Sequence, residues 1–303
     1  MNLYLKYRPS SFDEMYGNKA TVSALKTMVA NKEECPHSFL FHGPKGNGKT
    51  TLARIVAKEL GIKGSDLREL DTADFRGIDS VREIRKQASY RPLEGERRMW
   101  ILDECHQLTK DAQSALLKIL EDTPNHVYFA LCTTDPQKLL PTVKDRCTDF
   151  LVQPLTDEEM KSLIMSVCKA EGERISGKVG KQIIQDSMGH PRAGLQILDQ
   201  VLRVPKEERL SAAKRQAEQQ NQSIELCRAL LKGQSWHTVK TIVKGLKDED
   251  PEGVRRHVVA YCQSVLLNSD NERAAMIFEH FMHPFYDTGM AGLVYASYAV
   301  SKS

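Results

Sequence analysis

Gly43-Pro44-Lys45-Gly46-Asn47-Gly48-Lys49-Thr50-Thr51 is the stretch that decides the fold. It satisfies G-x-x-x-x-G-K-[ST], the phosphate-binding P-loop. Its flanks agree. Apolar Phe39, Leu40 and Phe41 precede it as a buried strand would, and Thr50 to Leu60 follow with helical character. Phosphate oxygens need backbone N–H donors at close range. Gly43, Gly46 and Gly48 let the loop wrap tightly and aim those donors inward. The helix opening near Lys49 adds the positive end of its dipole. Lys49 is placed to reach the β- and γ-phosphates, and the Thr50 hydroxyl to ligate Mg²⁺. A chance glycine-rich turn would not need a strand before it and a helix after it.

A P-loop binds nucleotide, but hydrolysis needs a second element. Met99-Trp100-Ile101-Leu102 is an apolar run ending in Asp103-Glu104. This is the Walker B pattern, a buried strand that delivers two carboxylates at its C-terminal edge. Asp103 would hold Mg²⁺, mostly through water, and Glu104 would polarise the attacking water. The bland alternative is a strand ending in a solvated acidic turn.

Composition sets the bounds. The 303 residues suffice for two or three domains. The hydrophobic content of 41% and charged content of 27% are those of an ordinary soluble globular chain. No apolar stretch is long enough to cross a bilayer, so no membrane role is expected, and Met1 to Lys6 carry no signal-peptide pattern. The seven cysteines are scattered and none forms C-x-x-C, which fits a reducing, cytoplasmic setting and no zinc site. A net charge of +3 leaves any nucleic-acid site to be local.

Along the chain, residues 1–36 read as mostly helical, with an extended Tyr7-Arg8-Pro9. Strands are predicted over His37–His42, Leu67–Asp71, Arg98–Leu102, Val127–Cys132 and Thr148–Val152. Helices are predicted over Gly48–Leu60, Ile78–Ser89, Lys110–Glu121 and, briefly, Pro136–Leu140. This alternation implies an α/β fold, a parallel sheet with flanking helices on both faces. Functional loops should gather at the C-terminal ends of its strands. After Pro154 the strand signals stop. Thr156 reads as a helix cap followed by the acids Asp157, Glu158 and Glu159. The expected divisions are a P-loop domain over 1–154, a small helical lid over 155–205, a polar linker or exposed helix over 206–222, and an all-helical segment over 223–303.

The ordered motifs resemble those of the AAA+ ATPase subunits of sliding-clamp loaders, both the bacterial gamma/tau subunit and the small subunits of replication factor C. Lys6-Tyr7-Arg8-Pro9 with Phe12 and Gly17 matches the segment beside the family's adenine pocket. The P-loop and Asp103-Glu104-Cys105-His106 follow, then Ala115-Leu116-Leu117-Lys118 with Leu120-Glu121. Thr133-Thr134-Asp135-Pro136-Gln137-Lys138-Leu139 is close to the bacterial sensor-1 stretch. Arg146-Cys147 falls at the Ser-Arg-Cys motif and Gly189-His190-Pro191-Arg192 at sensor 2. The resemblance covers residues 4–200, and the collar over 223–303 is assigned by position. Two departures stand out. Leu60 to Leu67 leave no room for the bacterial subunit's cysteine-rich zinc module, and Asp145 replaces the family's serine before the arginine.

The resemblance implies ATP and Mg²⁺ as cofactors. It implies as partners other clamp-loader subunits in a ring or spiral, expected as a pentamer, with the sliding clamp and primer–template DNA. The phosphate-binding residues would be Gly43, Pro44, Lys45, Gly46, Asn47, Gly48, Lys49, Thr50 and Thr51, with Tyr7, Arg8 and Pro9 beside the base. Arg146 would act as an arginine finger in a neighbouring subunit's site. Read without the resemblance, it is an exposed arginine pairing with Asp145 or Asp149. Thr134, or else Thr133, would touch the attacking water or the γ-phosphate; the alternative role is to cap the turn at Asp135-Pro136. Arg192 would sense the γ-phosphate from the lid. Arg82, Arg85 and Lys86 share one face of a helix, which composition alone leaves open as a solvated face or a phosphate-tracking stripe. The resemblance favours DNA, with Arg76, Ser80, Arg82 and Arg85 as contacts. His42 and His106 read as structural. The competing readings are another AAA+ DNA-processing motor, of helicase-loader or branch-migration type, and a non-catalytic nucleotide-holding assembly subunit.

Overall fold

The computed structural model describes residues 2–31, 34–213, 222–247 and 249–302. The chain divides into two compact units, Tyr4–Glu159 and Met160–Ser303, the latter including Met1–Leu3.

The first unit is built on five parallel strands: β1 (Ser38–His42), β2 (Leu67–Asp71), β3 (Arg98–Asp103), β4 (Val127–Thr133) and β5 (Thr148–Leu151), in the order β2-β3-β4-β1-β5. All five predicted strands are present, with ends moved by one residue at most. The four long helices are α1 (Lys19–Ala30), α2 (Lys49–Glu59), α3 (Ile78–Ala88) and α4 (Lys110–Glu121). Pro136–Lys138 form only a 3-10 turn, and a single helical turn at Pro141–Lys144 was not anticipated. The lead-in is less helical than expected. Before α1, Leu3–Lys6 and Phe12–Glu14 are single turns.

The central strands are buried on both faces, so their sequence is continuously apolar rather than alternating. The pleat still sorts the residues by parity. Phe39, Phe41, Met99, Ile101, Tyr128, Ala130 and Cys132 face one core with Leu25, Leu52, Ile55 and Val56. Leu40, Trp100, Leu102, Val127, Phe129 and Leu131 face the other, with Val81, Ile84, Leu116 and Ile119. Helices α1 and α2 therefore cover one face and α3 and α4 the other, as the alternation of elements implied.

Two polar ties are buried in this unit. Asp66 accepts the backbone N–H groups of Leu93 and Glu94 and pairs with Arg98 at 3.0 Å, both side chains being almost fully buried. Burial raises the Asp66 pKa, but those amides and the Arg98 guanidinium outweigh it and hold the carboxyl below its ordinary value. Gln113 on α4 donates to the Leu108 and Lys138 carbonyls and accepts from the Leu140 amide, fixing the segment after β4.

The division between units falls inside α5 (Asp157–Ala170). Its start is a capping box: the Glu159 amide donates to the Thr156 hydroxyl oxygen and the Thr156 amide to the Glu159 carboxylate. The second unit continues with α6 (Gly177–Ser187), α7 (Pro191–Leu202), α8 (Gln222–Leu231), α9 (Trp236–Gly245), α10 (Pro251–Asn268), α11 (Glu272–His280) and α12 (Gly289–Lys302). Within it, Asp186 on α6 pairs with Arg228 on α8 at 2.5 Å, with Asp186 fully buried. In the segment read as a linker, Arg209 is buried against the Glu173 carboxylate and the Arg174 carbonyl. Residues 214–221, which hold most of the polar run, lie outside the described residues. No described helix is long and apolar enough to cross a membrane.

Glu252, near the start of α10, accepts from Arg255, Arg256 and the Phe285 amide. Burial pushes its pKa up, but Arg255 and the Phe285 N–H more than reverse this and hold it at about 2. The folded state thus binds fewer protons than the unfolded chain between that value and the ordinary carboxyl range. The resulting stability is present above the ordinary range and is lost as pH falls towards the folded value. Glu252→Gln should cost on the order of 3 kcal/mol near neutrality, with the difference from wild type closing towards about pH 2. Denaturant unfolding of both proteins across acid pH checks this.

Candidate nucleotide site

Strand register assembles the site. His42 on β1 lies opposite Thr133 on β4, Leu102 on β3 opposite Leu131 on β4, and Asp71 on β2 opposite Asp103 on β3. The strand ends therefore stand at one edge of the sheet, and the P-loop, Asp103-Glu104 and Thr133-Thr134 leave from that edge together.

The P-loop follows β1 at Gly43, whose φ is +138°. A Cβ there would lie 2.2 Å from the Val152 carbonyl oxygen, so only glycine fits. Gly48, at φ +98°, turns the chain into α2. The buried Lys49 ammonium donates to the Gly43 and Pro44 carbonyls at 2.9 and 3.0 Å. Burial pulls its pKa below the ordinary value, while the Glu104 carboxylate pushes it back up. The Thr50 hydroxyl donates to the Asp103 carboxylate at 2.8 Å. Arg8 donates to the Thr51 hydroxyl at 3.0 Å, which ties the Tyr7-Arg8-Pro9 segment to the first turn of α2.

Glu104 has φ +49°, a left-handed conformation rare for a side chain of its size. It is held from two sides. Its carboxylate accepts from the Thr134 hydroxyl at 3.2 Å. On the other side, the buried Thr72 hydroxyl, just past β2, lies 2.6 Å from the Glu104 carbonyl oxygen and 3.0 Å from that of Asp103. Thr133 takes the capping role that the sequence left open for Thr134, accepting from the Asp135 amide at 3.0 Å. It also contacts His106 Nδ1 at 3.0 Å, and His106 stands 3.5 Å from the Glu104 carboxylate. Burial lowers the His106 pKa, against the opposing pull of Glu104.

Arg146 follows the single turn Pro141–Lys144. One terminal nitrogen donates to the Thr142 carbonyl at 3.0 Å, and the other pairs with Glu121 at the end of α4. Its carboxylate partner is therefore neither Asp145 nor Asp149; Asp149 instead pairs with His42 at 3.1 Å. Arg146 lines an open cleft of ≈ 390 Å³ together with His37, Ser38, Glu121 and Asp145. Arg192 is exposed in the first turn of α7, in the second unit. On α3, Val81, Ile84 and Ala88 are buried while Arg82, Arg85 and Lys86 are exposed. Arg82 pairs with Asp79 at 2.9 Å, and Arg76, just before the helix, donates to the Ala73 carbonyl. Ser80 is half-buried.

The donor set suits the groups the motif implies. An ammonium resting on carbonyls can exchange them for phosphate oxygens, and a hydroxyl beside a carboxylate offers the hard oxygen donors that Mg²⁺ takes. Thr72 and Gln113 were not singled out from sequence, and Glu121 was quoted only as part of the helix after Asp103-Glu104, with no role assigned. Thr72 carries no motif, and only the register of β2 against β3 locates it.

A parallel sheet with a P-loop after β1 and an acidic pair after β3, the two strands flanking β4, is a P-loop nucleotide-binding fold. The Thermotoga maritima RuvB Holliday junction branch migration motor resembles the chain with TM-score 0.60 at 22% identity, covering 74% of this chain and 79% of that one. Residues 62–156 match the family described as DNA polymerase III, delta subunit. The DNA polymerase III subunit gamma/tau of Mycobacterium bovis is 36% identical over 225 residues, 67% of this chain and 39% of the relative. The subunit tau of Escherichia coli is 30% identical over 65% of this chain and 34% of its own length. The chain thus spans little more than a third of these relatives. These matches bear out the resemblance that the ordered motifs carry.

The support that Thr72 gives is testable. Thr72→Val keeps the shape and loses the hydroxyl's one hydrogen bond, while the Thr72 amide still serves the Asp103 carbonyl and the Gln107 amide the Glu104 carbonyl, so the cost should be about 0.5–1.5 kcal/mol of stability. With Glu104 less firmly held, kcat for nucleotide hydrolysis should fall while ATP affinity is kept. Thermal unfolding, steady-state kinetics and nucleotide titration check the three effects.

Proposed function

We propose that the chain is the ATPase subunit of a DNA polymerase sliding-clamp loader. In this role it binds and hydrolyses ATP to open the clamp and place it on primer–template DNA. The observation that carries the ATPase reading is the joint placement of Thr50 against Asp103 and Thr134 against Glu104 at one sheet edge. A scaffold that only held nucleotide would need the first pair and not the second.

The roles divide by chemistry. The backbone of residues 43–51 and the Lys49 ammonium bind the phosphates, with Lys49 leaving the Gly43 and Pro44 carbonyls to do so. Thr50 and Asp103 hold Mg²⁺, which when bound offsets phosphate charge and polarises the γ-phosphate. Glu104 orients the attacking water and accepts its proton, and Thr134 keeps that carboxylate in place until then. Arg146 acts on the nucleotide of an adjacent subunit, and Arg192 reads the γ-phosphate within its own chain. Tyr7, Arg8 and Pro9 flank the base.

The 1–154, 155–205, 206–222 and 223–303 divisions serve as ATPase domain, lid, linker and oligomerising collar. The assembly is a pentameric ring or spiral with the other loader subunits, working in the cytoplasm. Arg76, Ser80, Arg82 and Arg85 contact DNA phosphates. Such contacts are insensitive to sequence and weaken with salt. Because Asp79 already pairs with Arg82, Arg85 carries more of this charge. The likeness to a branch-migration motor concerns the fold and does not favour that reading.

Lys49→Ala should abolish ATP binding. Glu104→Gln should bind ATP and fail to turn it over, and brisk turnover in that variant rejects the base assignment. Arg146→Ala should keep nucleotide and lose DNA-stimulated hydrolysis. Nucleotide titration and steady-state hydrolysis, with and without primed DNA, separate the three.

A further inference from the structure

The grip on Arg146 is made by elements far apart in the sequence. Glu121 closes α4, whereas Thr142 belongs to the turn after β4. Between them they hold both terminal nitrogens of the guanidinium. A guanidinium carries five N–H groups in a fixed fork. Two acceptors on its terminal nitrogens leave it further donors for another anion.

The side chains of Arg146 and Glu121 are 34% and 46% exposed. An ion pair this open to water adds little to stability. It does restrict the arginine. A free arginine samples many rotamers, and ordering it when subunits meet would oppose the contact. Two anchors on packed elements order it beforehand, and the open cleft beside it keeps it accessible. The adjacent Asp145 is not the partner, so the departure from the family's serine does not divert the guanidinium.

We propose that Glu121 is the positioning residue of the arginine finger: with the Thr142 carbonyl, it fixes the Arg146 guanidinium in the orientation in which a neighbouring subunit's nucleotide meets it. This rests on the reading of Arg146 as a finger acting in trans. In this role Glu121 acts through Arg146 and not on the nucleotide directly.

The test mixes two full-length chains, assembled with any partner subunits that wild-type turnover requires, on ATP and a primed oligonucleotide. Lys49→Ala supplies a finger but binds no nucleotide. Arg146→Ala binds nucleotide but lacks the finger. The mixture should hydrolyse ATP although neither chain does so alone. Adding Glu121→Ala to the finger-supplying chain should lower kcat of the mixture about tenfold with KM for ATP unchanged. The same substitution in the Arg146→Ala chain should not lower it further. Glu121→Gln in the finger-supplying chain, which keeps an acceptor oxygen, should recover part of the loss. Thermal midpoints of the Glu121 variants should match those of their parents. Equal losses from either chain, or a lowered midpoint that accounts for the loss, would assign Glu121 a structural role and overturn the proposal. A rise in kcat would overturn it too, since Glu121 would then be restraining the finger. If the mixture stays inactive while wild type turns over, the trans finger itself is refuted, and the positioning role with it.

Discussion

Everything chemical in this chain depends on the register of β1 against β4 and of β4 against β3. The three segments that form the site are distant in sequence and share no contact until those strands pair. Once Leu102 is level with Leu131 and His42 with Thr133, the positions just beyond them are fixed to within a peptide. A shift of one residue would turn Phe39, Phe41, Met99 and Ile101 away from their core, so hydrophobic packing enforces the alignment that the chemistry needs.

The site's charges are held by neighbours already in place. Lys49 rests on loop carbonyls, Asp103 on the Thr50 hydroxyl, Glu104 on the Thr134 hydroxyl, and Arg146 on Glu121 and Thr142. Each contact is modest, and each can be exchanged for a ligand oxygen or a water. The buried ties away from the site differ in kind. Asp66–Arg98 and Asp186–Arg228 are sunk in protein, where losing one partner strands the other. One set is built to be exchanged and the other to be permanent.

The sheet and the main site residues were legible in the sequence because their signals are local. An apolar run between punctuating residues marks a strand, and a glycine pattern followed by Lys49 and Thr50 marks a phosphate loop. Lys110–Glu121 came out to the residue because its cap and its apolar spacing agree. The lead-in before α1 was over-read as helix, since polar residues around Pro9 and Asn18 carry no period that separates a turn from a helix. The partner of Arg146 was beyond reach for another reason. Nearness in sequence offered Asp145 and Asp149, but α4 brings Glu121 across a separation of 25 residues, and no local pattern reports that. The same holds for Thr72, which serves the site only because β2 lies beside β3.

The strand order also sets when this site can exist during synthesis. β1, which leads into the P-loop, pairs with β4 and β5 and with neither β2 nor β3. Ser38 waits for Phe129, and Phe39 for Thr148. A chain emerging from the ribosome therefore carries the strand that leads into its phosphate loop for about ninety residues before that strand has a neighbour. Long-range parallel pairing of this kind is slow to form and leaves apolar strands uncovered meanwhile. Nucleotide cannot help the early part of the chain fold, because the cradle that would hold it is completed only when the sheet closes.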